Sequence, residues 1–170
     1  MYGLVNYQLT GIQKGIQFGH AVVEYSLSVR KDINSSDDHF DDIEVAKYYD
    51  WADNHKTFII LSGGTTNLSI EKPGTMNLHL KALIDNNIYC CSFHEPDLGD
   101  QLTAISFIVD ERVFNREKYP DYQFQLKQAD ILSPKFICDE EKEDWIKWVH
   151  SIGGQSNLFL RTFLTNFRLA

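Results

Sequence analysis

The chain of 170 residues is 43% hydrophobic and 13% aromatic, which is enough apolar material for one globular domain with a core and excludes an intrinsically disordered chain. It carries 16 basic and 24 acidic residues, a net charge of −8 at pH 7 that argues against indiscriminate binding to nucleic acid. No run of about 18 apolar residues is present, so we predict no transmembrane helix and no membrane partner.

The cysteines and the first residues indicate a reducing compartment. Cys90 and Cys91 are neighbours in a predicted strand, so their side chains point to opposite faces and should not pair, and Cys138 stands alone. The segment Met1–Thr10 has neither the basic region nor the cleavage signal of a secretory peptide. We therefore expect a cytoplasmic protein.

The predicted elements begin with a strand over residues 2–9 and a helix over residues 12–30. This helix carries two apolar stripes, one that includes Ile16 and Val23 and one that includes Phe18 and Tyr25. Both repeat with the 3.6-residue period of a helix, so we expect burial on two sides.

The middle of the chain continues with a polar acidic insertion at residues 32–44, whose purpose the sequence leaves open. Eight acidic residues stand against one basic residue between positions 32 and 55. A helix over 42–54 follows, and then a strand over 57–62 whose continuous apolar run is typical of a central strand. A helix over 75–86 and strands over 88–93 and 102–109 come next. Only eight residues join the last two strands, so we predict that they pair in an antiparallel manner.

Two helices, over 140–152 and 157–169, end the chain. Phe159, Phe163 and Phe167 repeat every fourth residue and should share one face of the last helix, for packing or as the surface of a homodimer. The order of elements predicts an α/β protein with three α/β/α layers, a mixed four-stranded sheet and additional C-terminal helices. We assign residues 1–110 to the α/β domain and residues 111–170 to a helical extension packed on it.

Two groups of residues could carry chemistry. Gly11 and Gly15 would let a ligand approach the start of the first helix, where Lys14 adds a positive charge to the helix dipole. His20, two turns further on, could act as a base or could be a hydrogen-bonded core residue. Glu95 and neighbouring carboxylates could do acid–base work or could simply form a polar hairpin. The spacing of histidines, cysteines and carboxylates fits no metal site, so we predict none.

The first group resembles a known family. The stretch "KGIQFGHAVVEY" is similar to the first-helix signature of type II peptidyl-tRNA hydrolases, a Gly-Lys pair followed by an Ala-Gln-x-x-His-Ala segment. Gln17, Gly19, His20 and Ala21 match in register. Lys14 is displaced by one position from the lysine of that family.

The second group extends the resemblance over Tyr2–Val109. The stretches "TFIILSG" and "TMNLHLKALIDNNIYCCSFHEPDLGDQLTAISF" are similar to the strand, helix, strand and acidic loop of that family, which precede a Thr-Ala-Ile strand. Glu95, and next Asp97, is the counterpart of the family's active-site aspartate, and Thr103 matches its threonine. The usual Asp-Ala-Gly-Arg-Thr run is replaced here.

The resemblance implies hydrolysis of the ester between a peptide and tRNA, with no metal and no organic cofactor. Gln17 would bind the ligand beside Gly11 and Gly15. It implies five catalytic residues: His20, Lys14, Glu95, Asp97 and Thr103.

Lys14 would stabilise the oxyanion or hold a phosphate, His20 or the carboxylates would activate water, and Thr103 would fix the geometry. Binding to tRNA should be weak and salt-sensitive, because few basic residues are available. Two alternatives stay open: a fold relative that binds a tRNA end, a nucleotide or a small anion without turnover, and a protein-interaction module.

Overall fold

A computed structural model describes residues 1–34, 42–67, 69–126 and 130–170. Four strands form one mixed sheet in the order β2-β1-β4-β3. β1 is parallel to β2 and antiparallel to β4, and β3 is antiparallel to β4. The strands are β1 (Tyr2–Asn6), β2 (Ile59–Gly64), β3 (Cys90–Glu95) and β4 (Gln101–Phe107). The α/β class, the mixed sheet and the antiparallel last pair are thus confirmed.

Helices cover both faces of this sheet. A Cβ at Gly3 of β1 would overlap the Phe18 ring, which places the first helix on one face. A Cβ at Gly63 of β2 would overlap the Met76 sulfur, which places a later helix on the other face. These two helices and the one between them are α1 (Gly11–Asn34), α3 (Thr75–Asp85) and α2 (Asp42–Asp50).

The prediction that the second strand is central was wrong. β2 is the end strand of the four, and its outer side pairs with the C-terminal tail of the chain. The Ser62 amide donates to the carbonyl of Arg168 at 2.9 Å, and the Ala170 amide donates to the carbonyl of Ile60 at 3.0 Å. The apolar run in β2 therefore reflects cover on both faces and along its edge rather than a central position.

The chain divides into two compact units, residues 1–108 with 167–170, and residues 109–166. The second unit contains α4 (Glu111–Phe114), α5 (Asp139–Ser151) and α6 (Gln155–Phe163). Its core consists of residues of α5 and α6 and aromatic residues from the preceding segment: Trp145, Val149, Ile152, Leu158, Tyr119, Tyr122, Phe124 and Phe136.

The phenylalanine stripe of the last helix is shorter than predicted. Phe159 and Phe163 are buried, with ring centroids 5.0 Å apart, but α6 ends at Phe163. The Asn166 side chain donates to the carbonyls of Thr162 and Phe163 and so satisfies the last turn of the helix. Phe167 lies in the first unit, where its ring meets the His79 ring edge to face at 4.8 Å. Burial lowers the pKa of His79.

The acidic insertion at 32–44 lies largely outside the described residues. Within the described ranges, no helix is both long and apolar enough to cross a membrane. Cys90, Cys91 and Cys138 are present as thiols, and burial, with a contribution from Cys91, raises the pKa of Cys90 to about 12.

A buried hydroxyl in the first unit yields a stability prediction. Tyr25 is fully buried between Tyr48 and Tyr89, and its hydroxyl has no hydrogen-bond partner among the described residues. Tyr25→Phe removes a buried hydroxyl that forms no hydrogen bond, so its burial costs free energy without compensation. We therefore expect the free energy of unfolding to stay unchanged or to rise by about 1–3 kcal/mol. Chemical denaturation measures this.

The matched control for that substitution is Tyr48→Phe. The Tyr48 hydroxyl donates to Ser26 at 2.9 Å, so its loss should lower stability by about 0.5–1.5 kcal/mol. A Tyr25→Phe variant less stable than Tyr48→Phe would contradict the assignment of an unpartnered hydroxyl.

The second unit depends on the buried carboxylate of Glu141. It accepts from the backbone amides of Gln125 at 2.9 Å and Ile137 at 2.8 Å. Glu141→Ala leaves both donors unpaired, so we expect a loss of about 1.5–3 kcal/mol and faster hydrogen exchange at those two amides. Mass spectrometry of exchange detects this. Glu143→Ala, on the exposed face of the same helix, should leave both amides protected. Equal exchange in the two variants would refute Glu141 as the shared acceptor of these two amides.

Candidate active site

The candidate site lies at the end of the sheet where three of its four strands terminate. β1, β2 and β3 all end there and β4 begins there, because β1 is parallel to β2 while β4 is antiparallel to both β1 and β3. Helix α1 begins at Gly11, five residues after β1 ends. This is the end of an open α/β sheet at which ligands bind.

The start of α1 is closed by a capping box. The Gln13 side-chain oxygen accepts from the Thr10 amide at 3.0 Å, and the Thr10 hydroxyl accepts from the Gln13 amide at 3.4 Å. Lys14 follows in the same turn, partly buried, with no ion pair or hydrogen bond of its ammonium among the described residues. The positive end of α1 thus carries an unpaired cation beside the sheet edge.

Gln17, one turn further along α1, joins the two parts of the sequence that were singled out. Its amide nitrogen donates to the Glu95 carboxylate at 2.5 Å, and its amide oxygen accepts from the Thr103 hydroxyl at 2.7 Å. Only this orientation of the amide gives a donor to the carboxylate and an acceptor to the hydroxyl. Gln17 is itself buried, so it positions its neighbours and does not present a free amide to a ligand.

Thr103 is the innermost member of this set. It is 1% exposed, and its hydroxyl also lies 3.3 Å from the carbonyl of Phe93. Its hydroxyl is therefore linked to the exposed part of the cluster by its hydrogen bond to Gln17. Glu95, in contrast, is only partly buried and keeps its second carboxylate oxygen toward the hairpin, 3.5 Å from the Asp97 amide.

His20 is exposed and lies one turn beyond Gln17. Its imidazole stacks on the Phe93 ring of β3, with centroids 4.5 Å apart and an interplanar angle of 19°. Residues three apart on a helix have Cβ atoms about 5–6 Å apart. Lys14, Gln17 and His20 therefore form one row beside the end of β3.

The hairpin between β3 and β4 is shorter than predicted. His94 and Glu95 are the last residues of β3, and Pro96–Leu98 forms one turn of 3-10 helix. The His94 Nδ1 atom lies 3.0 Å from the carbonyl of Asp100. Asp97 contributes its amide to Glu95, while its side chain is exposed.

Gly11 and Gly15 are exposed, and a Cβ at either would meet no atom within 4 Å. Nothing in the packing thus requires glycine there, and the backbone at the start of α1 is open to approach.

Two buried or partly buried partners at the same end of the sheet were not predicted as site residues. The Asn6 side chain donates to the Thr66 hydroxyl at 3.2 Å, and that hydroxyl donates to the carbonyl of Leu102. A polar residue at the very end of an apolar strand was the available signal.

The loop that follows β2 is closed by its own hydrogen bonds. The Thr65 amide donates to the Thr75 hydroxyl at 2.8 Å, and that hydroxyl donates to the carbonyl of Gly63 at 3.1 Å. This loop is a turn closed by a threonine side chain.

Across the described part of the chain, no three histidine, cysteine, aspartate or glutamate side chains come together in a group that could hold a metal ion.

Comparisons with models of known protein families, with characterised proteins and with solved structures gave no match for this chain. The chemistry of the edge therefore has to be inferred from its own residues.

The contact between Gln17 and Glu95 leads to a pH-dependent prediction. Gln17→Glu places a second carboxylate about where the amide nitrogen lies, and two such groups cannot both ionise cheaply. The folded-state pKa of one of them should rise above the unfolded value of about 4.3. The free energy of unfolding of the variant is then unaffected below about pH 4.3 and falls as the pH rises above it, by about 1.4 kcal/mol for each unit by which the pKa is raised.

We therefore expect Gln17→Glu to be close to the parent protein at pH 4 and clearly less stable at pH 7, in urea titrations at both values. Gln13→Glu is the matched control, because the exposed capping box accepts glutamate equally well. A stability difference that does not change with pH would show that Gln17 and Glu95 are not in contact.

Proposed function

We propose that this protein is a peptidyl-tRNA-hydrolase-like enzyme that cleaves the ester between a peptide and the terminal ribose of tRNA. One observation carries the proposal: Gln17 holds the Glu95 carboxylate at 2.5 Å and the Thr103 hydroxyl at 2.7 Å. Gln17 is 78 residues from Glu95 in the sequence. Gln17 and Thr103 match positions of the type II peptidyl-tRNA hydrolase pattern, and Glu95 is the counterpart of its active-site aspartate.

The proposed reaction begins with a water molecule beside Glu95. The carboxylate oxygen that is not bound to Gln17 takes a proton from the water as the water oxygen attacks the ester carbonyl. Thr103 supports this step indirectly, because it fixes the amide that orients the carboxylate. His20 and its stacking partner Phe93 would form one side of the substrate site, next to Glu95.

The carbonyl oxygen becomes negatively charged as the new bond forms. Lys14 is the nearest cation along the row and would stabilise that oxyanion, together with the positive end of α1. The ester C–O bond then breaks, the proton on Glu95 passes to the departing ribose oxygen, and the products are a free peptide acid and tRNA. Asp97, whose amide donates to the Glu95 carboxylate, would help to orient the attacking water. We place the reaction in the cytoplasm, where tRNA is used.

The direct test is cleavage of an N-acetyl-aminoacyl-tRNA of defined sequence. We expect turnover by the parent protein, a loss of about 10²–10⁴-fold in kcat/KM for Glu95→Gln, and a loss of about 10²–10³-fold for Lys14→Ala. Lys81→Ala is the control, because Lys81 pairs with Asp85 on an exposed face of α3. It should retain full activity.

Binding measurements on the same substrate separate the alternatives. Binding without cleavage in the parent protein would favour a non-catalytic relative that holds a tRNA end. Absence of both binding and cleavage would overturn the proposal and favour an interaction module. Binding should also weaken steeply with salt, in proportion to the few phosphates contacted.

A further inference from the structure

Helix α1 was expected to be buried on two sides, but only one side is covered in the described chain. Phe18, Tyr25 and Val29 face the sheet and are almost inaccessible. The opposite face carries a second apolar stripe whose members are all exposed: Ile12 by 80%, Ile16 by 53%, Val23 by 55% and Leu27 by 42%.

This stripe, which we call the outer stripe (Ile12, Ile16, Gly19, Val23 and Leu27), follows the 3.6-residue period along about four turns. Four large aliphatic side chains in one row on the solvent face of a helix form a contiguous apolar patch rather than scattered exposed residues. Gly19 interrupts the row with bare backbone, and a Cβ at that position would meet no atom within 4 Å.

We propose that the outer stripe is the contact surface of a symmetric homodimer, in which α1 packs antiparallel on α1 of a second copy. A twofold axis between Gly19 and Val23 places each Val23 over the Gly19 of the other copy. It also places Ile16 within one residue's rise of Leu27 of the other copy. The stripe is thus complementary to itself, as the two halves of a twofold interface must be.

The flank of the stripe supports a second copy as the occupant. His20 and Glu24 lie one turn apart on the same flank, and both are exposed. In an antiparallel pair, residues on the same flank of the two helices face each other, so Glu24 of each copy lies within two residues' rise, about 3 Å, of His20 of the other. Two such polar contacts, related by symmetry, would border the apolar row and set the antiparallel direction.

The size of the surface sets the expected strength. Ile12 to Leu27 spans about 22 Å of helix, and a row of this length buries on the order of 400 Å² per copy, about half of the 800 Å² per partner of a standard interface. We therefore expect a weak dimer with a dissociation constant in the micromolar range or above, populated at high protein concentration. This inference does not rest on the proposed enzymatic function.

Analytical ultracentrifugation of the full chain between about 5 µM and about 1 mM tests the proposal. We expect the mass to rise from 19.7 kDa toward twice that value with concentration. Val23→Glu should raise the dissociation constant about tenfold or more. Ile84→Glu, at a residue of α3 that is 58% exposed, should leave it unchanged. A chain that stays monomeric throughout, or a dimer that Val23→Glu does not weaken, would overturn the proposal and assign the stripe to another partner.

The direction of packing has its own test. In a Cys138→Ser background, chains with Gly19→Cys and chains with Val23→Cys should cross-link to each other on oxidation. Preferential cross-linking of Gly19→Cys chains with themselves would instead indicate parallel helices and refute the arrangement. Glu24→Lys should weaken the dimer, and His20→Glu added to Glu24→Lys should restore it. Failure of that restoration would refute the pairing of the two flanks.

Discussion

The close approach of α1 to the sheet is the constraint on which the rest of the first unit depends. Residue 3 of β1 has to be glycine, because the Phe18 ring occupies the space of a Cβ there. The Ser106 hydroxyl of β4 donates to the carbonyl of Ala21 at 2.8 Å, a second short link in the middle of the helix. Since the helix is held this near to β1 and β4, the side chain of Gln17 can reach the ends of β3 and β4 and join them.

Because Gln17 reaches both strands, a polar hydrogen-bonded cluster forms where β3 ends and β4 begins. A buried amide is stable only when both of its ends have partners, and Gln17 has a carboxylate at one end and a hydroxyl at the other. The inner part of this cluster is therefore buried and polar, while Lys14, His20 and Glu95 are partly or fully exposed. In the proposed hydrolysis, the buried residues would hold the carboxylate in place and the exposed residues would meet the substrate.

The second unit is organised around buried polar groups of a different kind. The Arg161 guanidinium is buried and donates to the carbonyls of Arg112 and Tyr119 and to the Asp121 carboxylate. Burial lowers the pKa of Arg161, and the nearby Arg116 lowers it further. Together with the hydrogen bonds that Glu141 accepts, these contacts tie segments without regular structure to α5 and α6. This is why a region with little hydrophobic periodicity still forms a compact unit.

The sequence by itself determined the class of the fold, because periodicity reports which face of an element is apolar. Helix α1 and the antiparallel pair β3 and β4 could be predicted from pattern. The resemblance singled out Gln17, Glu95 and Thr103, and the structure brings their side chains into contact. The tertiary structure alone decided which apolar runs are covered by which neighbours. It placed β2 at the edge of the four-stranded sheet, paired with the C-terminal tail, it ended the last helix before Phe167, and it left the outer stripe of α1 exposed. The physical reason is that an apolar side chain requires removal from water but does not specify its partner, and the partner depends on contacts between residues that are distant in the chain.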